Sequence, residues 1–382
     1  MMQRASPSLC GKCAARYMCR KKKIMRYGND KTENEIIESV IGFEPLYESM
    51  MKCKKGVLWK NQPAHYYLNG IEETIKLSDQ LRNGTYKPRK TRKVKITYPK
   101  PREAVANAFR DRVYQRSLND NVLYPAMTRS FIDDNMACQK GRGPDVAMDR
   151  LDEFLRQMFR EHGLNFWILQ GDVHGYYPNM SHDKTERRFH RKVTKPIYEM
   201  TTNVLRGQYE GSTGYNPGSQ MVQIAGVSYL DPFDHYMKEQ LHVTQYERYM
   251  DDFVDMNASK EALEDHLKKI KCYMDAEECE LHPKKTRIYH VTEGITFLGF
   301  KHRLTESGKV IRTIDPDNVK HERLKLRRQV ALVAKGEMKK SEVEDGYKCW
   351  KAHVKRGNST KVLERTDKYL KSLWKEYGLY EI

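Results

Sequence analysis

The sequence lacks the features that mark several protein classes. No stretch approaches the roughly 18 consecutive apolar residues of a transmembrane helix. The first 26 residues carry eight Lys or Arg and no acid, but no apolar core follows them, so they are not a secretory signal peptide. Eight cysteines in 382 residues are too dilute for a disulfide framework, and we find no low-complexity tract or Gly/Ser linker. These absences predict a protein of the reducing cytoplasm without a membrane span.

Apolar residues are scarce, whereas positive charge is abundant. Hydrophobic residues make up 39% of the chain and charged residues 31%, which is polar for a globular protein. The 24 Tyr, 11 Phe and 4 Trp are nevertheless too many aromatics for a disordered chain. Lys and Arg number 69 against 51 Asp and Glu, and the net charge of +18 favours a polyanionic partner such as nucleic acid.

Residues 1–28 form a basic segment without hydrophobic periodicity. They contain Cys10, Cys13 and Cys19, a spacing that would suit a small zinc site with one further ligand from elsewhere. The alternatives are a disordered basic tail, or an upstream extension that precedes Met25. We therefore treat residues 1–28 as a separate, cysteine-containing N-terminal tail.

The rest of the chain mixes helical periodicity with short strand patterns. Helical spacing of apolar residues covers residues 36–51, 71–81, 104–122, 147–160 and 221–237. Strands are predicted at residues 93–98, 166–169, 288–291 and 295–300, and a hairpin over residues 246–256. After about residue 315 the chain is helical and basic. This mixture predicts an α+β fold.

Three aspartates occupy settings that are unusual for acids. Asp172 follows the apolar run at residues 166–169, and Asp251 and Asp252 occupy the turn of the predicted hairpin between apolar residues. Acids at a core edge are unfavourable unless a cation holds them. A strand-end aspartate with a hairpin Asp-Asp pair suits a two-Mg²⁺ nucleotidyl-transfer site, because Mg²⁺ binds carboxylates together with phosphate oxygens. A solvated turn is the alternative.

Seven segments resemble the motifs of one enzyme family, in that family's order. Residues 249–252, Tyr-Met-Asp-Asp, match the Tyr-x-Asp-Asp box of reverse transcriptases, and the other segments are residues 99–115, 137–143, 171–182, 217–235, 281–286 and 294–300. The chain therefore resembles a bacterial reverse transcriptase. The resemblance implies a right-hand polymerase fold, with fingers and an antiparallel-sheet palm over residues 29–300 and a helical, basic thumb over residues 301–382.

The resemblance also assigns roles around the aspartates. Asp172 and Asp251 would bind two Mg²⁺ ions, with Mn²⁺ as an alternative, and Asp252 and Val173 would support them. Tyr177, five residues after Asp172, would lie under the nucleotide sugar and exclude a 2′-hydroxyl by steric clash. The alternative for Tyr177 is core packing.

The other implied site residues would contact the nucleotide, the template and the primer. Arg102 would bind the triphosphate, with Arg142 as a weaker candidate, because a guanidinium suits phosphate; a surface charge is the alternative for Arg102. Gln223 would help to place the template base. Lys285 would lie near the departing pyrophosphate, with Lys284 as its rival. The primer grip would consist of Phe297, Leu298 and Gly299.

The implied activity is addition of deoxynucleotides to a primer 3′-hydroxyl on an RNA template. The implied partners are a structured noncoding RNA template, a DNA or RNA primer, dNTPs and an accessory protein. The layout is most similar to the diversity-generating retroelement type, in which the motif at residues 217–223 would end in Ser-Gln. Here the pair at that position is Val222-Gln223, and Ser219-Gln220 lies three residues earlier. The alternatives are template-independent or protein-primed DNA synthesis in phage defence, and a catalytically silent nucleic-acid-binding protein of the same fold. The three clustered acids argue against a silent protein.

Overall fold

The structure is a computed structural model that describes residues 31–96 and 102–379. The chain folds as two compact units. Within the described residues, the first unit comprises the chain up to Gly141, Gln170–Phe253 and Asp265–Thr286. The second unit comprises Arg142–Leu169, Val254–Glu264 and the chain from Arg287 onward. The N-terminal tail with its three cysteines lies outside the described residues.

The first unit opens with four helices. They are α1 (Glu33–Ile41), α2 (Phe43–Cys53), α3 (Asn61–Leu68) and α4 (Gly70–Arg82). A capping box begins α1, because the Thr32 side chain accepts the Glu35 N–H and the Glu35 carboxylate accepts the Thr32 N–H. Buried Ile36 and Val40 in α1, and Leu46 and Met50 in α2, are each four residues apart, so the predicted helical periodicity here is confirmed.

A two-stranded sheet precedes the next helices. Strands β1 (Arg92–Ile96) and β2 (Arg102–Ala106) pair antiparallel, with Val94 opposite Ala104. The following elements are α5 (Phe109–Leu118), a π-helical turn (Asn119–Leu123) and α6 (Tyr124–Thr128). The predicted helix over residues 104–122 is therefore wrong at its start. Pairing with β1 decides the conformation of these residues, which helical periodicity alone does not reveal.

A four-stranded sheet carries the predicted aspartates. Its strands are β3 (Trp167–Asp172), β4 (Tyr246–Tyr249), β5 (Asp252–Asn257) and β6 (Arg287–His290), in the order β4-β5-β3-β6. Both β3 and β5 contribute residues to each unit. The predicted hairpin over residues 246–256 is confirmed. The helices around these strands are α7 (Pro144–His162), α8 (Tyr176–Asn179), α9 (His182–Lys192), α10 (Lys195–Gln208), α11 (Gln220–Tyr229), α12 (Asp231–Glu239) and α13 (Lys260–Ala276).

The single helix predicted over residues 221–237 is two helices. Helix α11 ends at Tyr229, and α12 starts at Asp231 with Pro232 in its first turn. Proline is tolerated there because its missing N–H would have no partner in the first turn of a helix.

The second unit ends in a small sheet and three helices. Strands β7 (Ile295–Phe297), β8 (Phe300–Leu304) and β9 (Val310–Ile314) form an antiparallel sheet in that order. The strand predicted over residues 295–300 is confirmed at residues 295–297, but a tight turn at Leu298 and Gly299 ends it there. The helices are α14 (Pro316–Ala334), α15 (Lys340–Val354) and α16 (Thr360–Glu376). The predicted helical character after residue 315 is confirmed.

The three helices share an apolar core. It consists of Leu326, Val330, Val343, Tyr347, Leu370, Leu373 and Trp374. None of the helices within residues 31–96 and 102–379 has both the length and the apolar character that crossing a bilayer requires.

Candidate active site

Two backbone segments bring the three aspartates together. Asp172 ends β3, while Asp251 lies in the turn before Asp252, the first residue of β5. Met250 opens this turn in the left-handed region, with φ 58°. The Val173 N–H donates to the Asp251 carbonyl at 3.2 Å, which ties the end of β3 to the turn.

The three carboxylates are largely buried, and their negative charges repel one another. Only 5% of Asp172 is exposed. Burial and then the charge of Asp172 raise the pKa of Asp251, although a backbone hydrogen bond opposes them. Burial and then the charges of Asp251 and Asp172 raise the pKa of Asp252 to about 7. A bound cation would relieve this repulsion and favour the ionised forms.

Lys285 supplies a positive charge at this site. Its Nζ lies 2.6 Å from Asp172 Oδ2. The backbone around it is anchored to the same aspartate: His282 N–H donates to the Asp172 carbonyl at 2.7 Å, and Asp172 N–H to Thr286 Oγ1 at 3.4 Å. Burial lowers the pKa of Lys285, but the hydrogen bond and charge of Asp172 outweigh it, so the pKa is raised. With its side chain 58% exposed, this ammonium can also reach a ligand.

The donor set suits a hard divalent cation. Carboxylate oxygens of Asp172, Asp251 and Asp252 are the ligands that Mg²⁺ prefers, and Val173 can offer only its main-chain carbonyl. Within the described part of the chain, no group of three or more His, Cys, Asp or Glu side chains is already arranged as a metal centre. The carboxylate chemistry of these donors is what supports a metal site here.

A buried arginine is hydrogen-bonded to the backbone of the turn that carries Asp251. Arg248 on β4 is fully buried, and its Nη1 donates to the Met250 carbonyl at 2.6 Å. Its Nε and Nη2 donate to the two carboxylate oxygens of Asp234 on α12, each at 2.6 Å. Tyr246 Oη and Asn135 Nδ2 donate to Asp234 as well, at 2.8 and 3.1 Å. Sequence reasoning missed Arg248; the available signal was a charged residue between the tyrosines of a predicted hairpin strand, which needs a partner if it is buried.

Tyr177 lies on the short helix α8, next to the aspartate turn. This helix follows Gly175, whose φ is 56°. Burial raises the pKa of Tyr177, and the charges of Cys138 and Asp251 raise it further. Its neighbour Tyr176 is more deeply buried, with 4% exposed.

Gln223 on α11 lines a pocket of about 320 Å³ in the first unit. Tyr124 and Lys140 line the same pocket, where the Lys140 N–H donates to Tyr124 Oη at 2.6 Å. The Lys140 ammonium lies 5.3 Å from the centroid of the Tyr124 ring. The pocket thus combines amide, aromatic and cationic groups, which are suited to a nucleic-acid base and its phosphate.

The remaining predicted residues are distributed over both units. Arg102 begins β2, opposite Ile96, and its side chain lies outside the described part of the structure. Arg142 is half-buried before α7, in the second unit. The predicted primer grip also belongs to the second unit. There Phe297 is buried, and the turn residues Leu298 and Gly299 have φ 49° and 84°.

The solved structures to which this chain is similar include telomerases. Apo telomerase from Candida tropicalis has a TM-score of 0.44 and 11% identity over 59% of this chain and 49% of that chain. Telomerase from Candida albicans with a fragment of telomeric RNA has a TM-score of 0.42 and 10% identity over 75% and 58%. Candida tropicalis telomerase truncated from its C-terminal domain has a TM-score of 0.43 and 12% identity over 58% and 55%. The chain spans about half the length of these telomerase chains.

The family is shown by the sequence itself. A search of curated proteins found no match. Residues 99–302, more than half of the chain, match the family model described as reverse transcriptase (RNA-dependent DNA polymerase). Domains of this family generally use divalent metal ions. The chain therefore belongs to the reverse transcriptase family and has an α+β fold.

Proposed function

We propose that this enzyme adds deoxynucleotides to a primer 3′-hydroxyl through two Mg²⁺ ions, with Mn²⁺ as the alternative. Asp172 and Asp251 would hold both ions, and Asp252 and the Val173 carbonyl would support them. The observation that carries the proposal is the Val173 N–H to Asp251 carbonyl hydrogen bond, which keeps the strand-end carboxylate beside the turn. Bound ions would activate the attacking oxygen and stabilise the leaving pyrophosphate.

Lys285 would stabilise the pyrophosphate leaving group. The primer oxygen forms a bond to the α-phosphorus while the bond to pyrophosphate breaks, so negative charge develops on the departing oxygen. The raised pKa of Lys285 keeps its side chain protonated, and it can donate a hydrogen bond or a proton to that oxygen. Before the nucleotide binds, the same ammonium neutralises Asp172.

Tyr177 and Gln223 would select the substrate. The Tyr177 ring, beside Asp251, would meet the 2′-position of the sugar and exclude ribonucleotides sterically. Gln223 would position the template base in the pocket that it shares with Tyr124 and Lys140. Both roles are supported by the position of these residues in the first unit, together with the aspartates.

Arginines and a hairpin turn would hold the nucleotide phosphates and the primer. Arg102, with Arg142 as the weaker candidate, would bind the triphosphate as a bidentate donor. The turn at Phe297, Leu298 and Gly299 would grip the primer backbone. The net charge of +18 supports nucleic-acid partners for the whole chain.

The natural template would be a structured noncoding RNA, copied from a DNA or RNA primer with the help of an accessory protein. The general layout of the motifs is most similar to that of diversity-generating retroelement enzymes. A role in antiviral defence is the other setting that we propose for this polymerase. The two settings differ in template and primer, while the chemistry at Asp172 and Asp251 is the same.

Primer extension tests the activity directly. The purified protein with Mg²⁺, dNTPs and a DNA primer annealed to RNA should extend the primer. Asp251→Asn should reduce extension by about three orders of magnitude or more, because it removes metal-binding charge with little change in volume. Asp265→Asn is the matched control, since Asp265 is exposed on α13 and pairs with Lys269.

Two outcomes would contradict the proposal. If Asp251→Asn extended primers as well as Asp265→Asn, the metal-site assignment would be wrong. If extension needed no template, the protein would be a template-independent polymerase. Omission of Mg²⁺ with EDTA present should abolish extension, and Mn²⁺ should restore it.

A further inference from the structure

Two adjacent tyrosines converge on one glycine of α11. Tyr176 Oη donates to the Gly226 carbonyl at 2.5 Å. Tyr177 packs over the same residue: a Cβ added to Gly226 would lie 2.7 Å from Tyr177 Oη, 2.9 Å from Cζ and 3.0 Å from Cε1. The centroids of the two rings lie 5.6 Å apart, and the rings are in a T-shaped arrangement. Gly226 is therefore the surface on which the end of the Tyr177 ring rests.

Contact with α11 positions the Tyr177 ring by packing alone. Its hydroxyl is buried and, among the described residues, has no hydrogen-bond partner. Tyr176, in contrast, is fixed by its bond to the Gly226 carbonyl. An added methyl group at position 226 would thus move the end of the Tyr177 ring more easily than it would move Tyr176 or the helix.

We infer that Gly226 is a specificity-determining positioning residue, which sets how far the Tyr177 ring extends toward the nucleotide sugar. The inference rests on the proposed function, in which Tyr177 faces the 2′-position. With glycine, the ring lies directly against α11 and leaves room for a deoxyribose. With any larger residue, the ring would be displaced away from α11 and would narrow that room.

The test variant is Gly226→Ala. Single-nucleotide incorporation would be measured with dNTPs and with rNTPs on a generic RNA template. We expect KM for dNTPs to rise by roughly tenfold, the effect of one misplaced methyl group in a pocket, with a smaller change in kcat. Ribonucleotide use should fall at least as much. Gly346→Ala, inside α15 with only Lys325 Nζ within 4.0 Å, is the control for adding a helical methyl group.

A double-variant comparison separates positioning from general damage. In a Tyr177→Ala background no ring remains to be displaced, so adding Gly226→Ala should leave KM and the dNTP-to-rNTP preference unchanged. In a Tyr177→Phe background the atom in closest contact is gone, so the effect of Gly226→Ala should shrink. Thermal unfolding of each variant would show whether a loss of folding accompanies the loss of affinity.

The outcomes distinguish this inference from the proposed function. If Tyr177→Ala left ribonucleotide discrimination intact, the sugar-selecting role of Tyr177 itself would fail. If Tyr177→Ala relaxed discrimination but Gly226→Ala changed neither KM nor preference, only the role of Gly226 would fail. An equal loss for Gly226→Ala with and without the Tyr177 ring would also overturn the inference, because the damage would then not pass through that ring.

Discussion

Arg248 and Asp234 form a fully buried ion pair behind the turn that carries Asp251. Two guanidinium nitrogens meet both carboxylate oxygens at 2.6 Å, and a third nitrogen holds the Met250 carbonyl. Burial alone would lower the pKa of Arg248, but the charge of Asp234 outweighs it and raises the pKa. The pair therefore links α12 to the turn that carries Asp251 through buried charged groups.

Replacing one residue of this ion pair should lower the free energy of unfolding far more than replacing both residues. Arg248→Met leaves a buried, unpaired carboxylate and should lower the free energy of unfolding by about 3–5 kcal/mol. Arg248→Met with Asp234→Leu should recover part of this loss. Urea unfolding followed by circular dichroism measures both effects.

The matched control is an exposed pair of the same type. Arg187 on α9 pairs with Asp183, and both side chains are more than half exposed. Arg187→Met should hardly change the unfolding midpoint, since surface pairs contribute little. If Arg248→Met were as mild as Arg187→Met, Arg248 would not hold the turn as described here.

Lys285 and Lys284 provide a second comparison between neighbours. Lys285→Met should lower the single-turnover rate of nucleotide addition by about 10²–10³, the effect of losing one donor to developing charge. Lys284→Met should remain near the wild-type rate, because it is Lys285 whose ammonium lies at Asp172. Equal rates for the two variants would remove Lys285 from the proposed mechanism.

The hairpin that carries Asp251 and Asp252 was predictable because its signals are local. Strand residues on both sides of Asp251 and Asp252 define the turn, and the apolar run before Asp172 defines the end of β3. Local patterns failed where distant pairing decides the conformation. Ala104 belongs to a strand because β1 lies beside it, and Leu298 adopts a left-handed conformation with Gly299 as the only local signal.

The partners of the supporting residues were not predictable for a related reason. Arg248 and Asp234 are 14 positions apart, and their pairing depends on how α12 packs beneath β4. Gly226 acts through the space that it leaves for Tyr177. That space depends on the packing of α8 against α11, which the sequence does not show. Chemically distinctive groups are thus visible in the sequence, whereas the contacts that position them are not.

The N-terminal tail should be dispensable for basic catalysis. Residues 1–24 have no apolar stripe to bury, so their deletion should leave primer extension on a generic template within a few-fold of wild type. Zinc analysis of the full chain tests the alternative interpretation. One zinc ion per protein, lost in a Cys10→Ala, Cys13→Ala double variant, would establish a metal site in the tail.

Substitutions in the turn at Leu298 and Gly299 can distinguish an effect on protein stability from an effect on primer binding. Leu298 has φ 49° and packs against the apolar cluster that contains Phe300 and Val354. Leu298→Asn would relieve about 1 kcal/mol of left-handed strain. It would also lose roughly 1 kcal/mol of half-buried apolar contact. The two effects nearly cancel, so the melting temperature should hardly change.

Primer affinity should nevertheless fall several-fold in Leu298→Asn if the turn grips the primer, because the apolar side chain at its tip is lost. Gly299→Ala is the counterpart: the nearest atom to an added Cβ is His353 Nε2 at 3.8 Å, so only the φ of 84° opposes the change. It should destabilise the protein by about 1 kcal/mol through backbone strain. Primer affinity would be measured by fluorescence anisotropy with a labelled primer–template duplex. Unchanged affinity in Leu298→Asn, at unchanged melting temperature, would remove Leu298 from the primer grip and leave the turn a purely structural element.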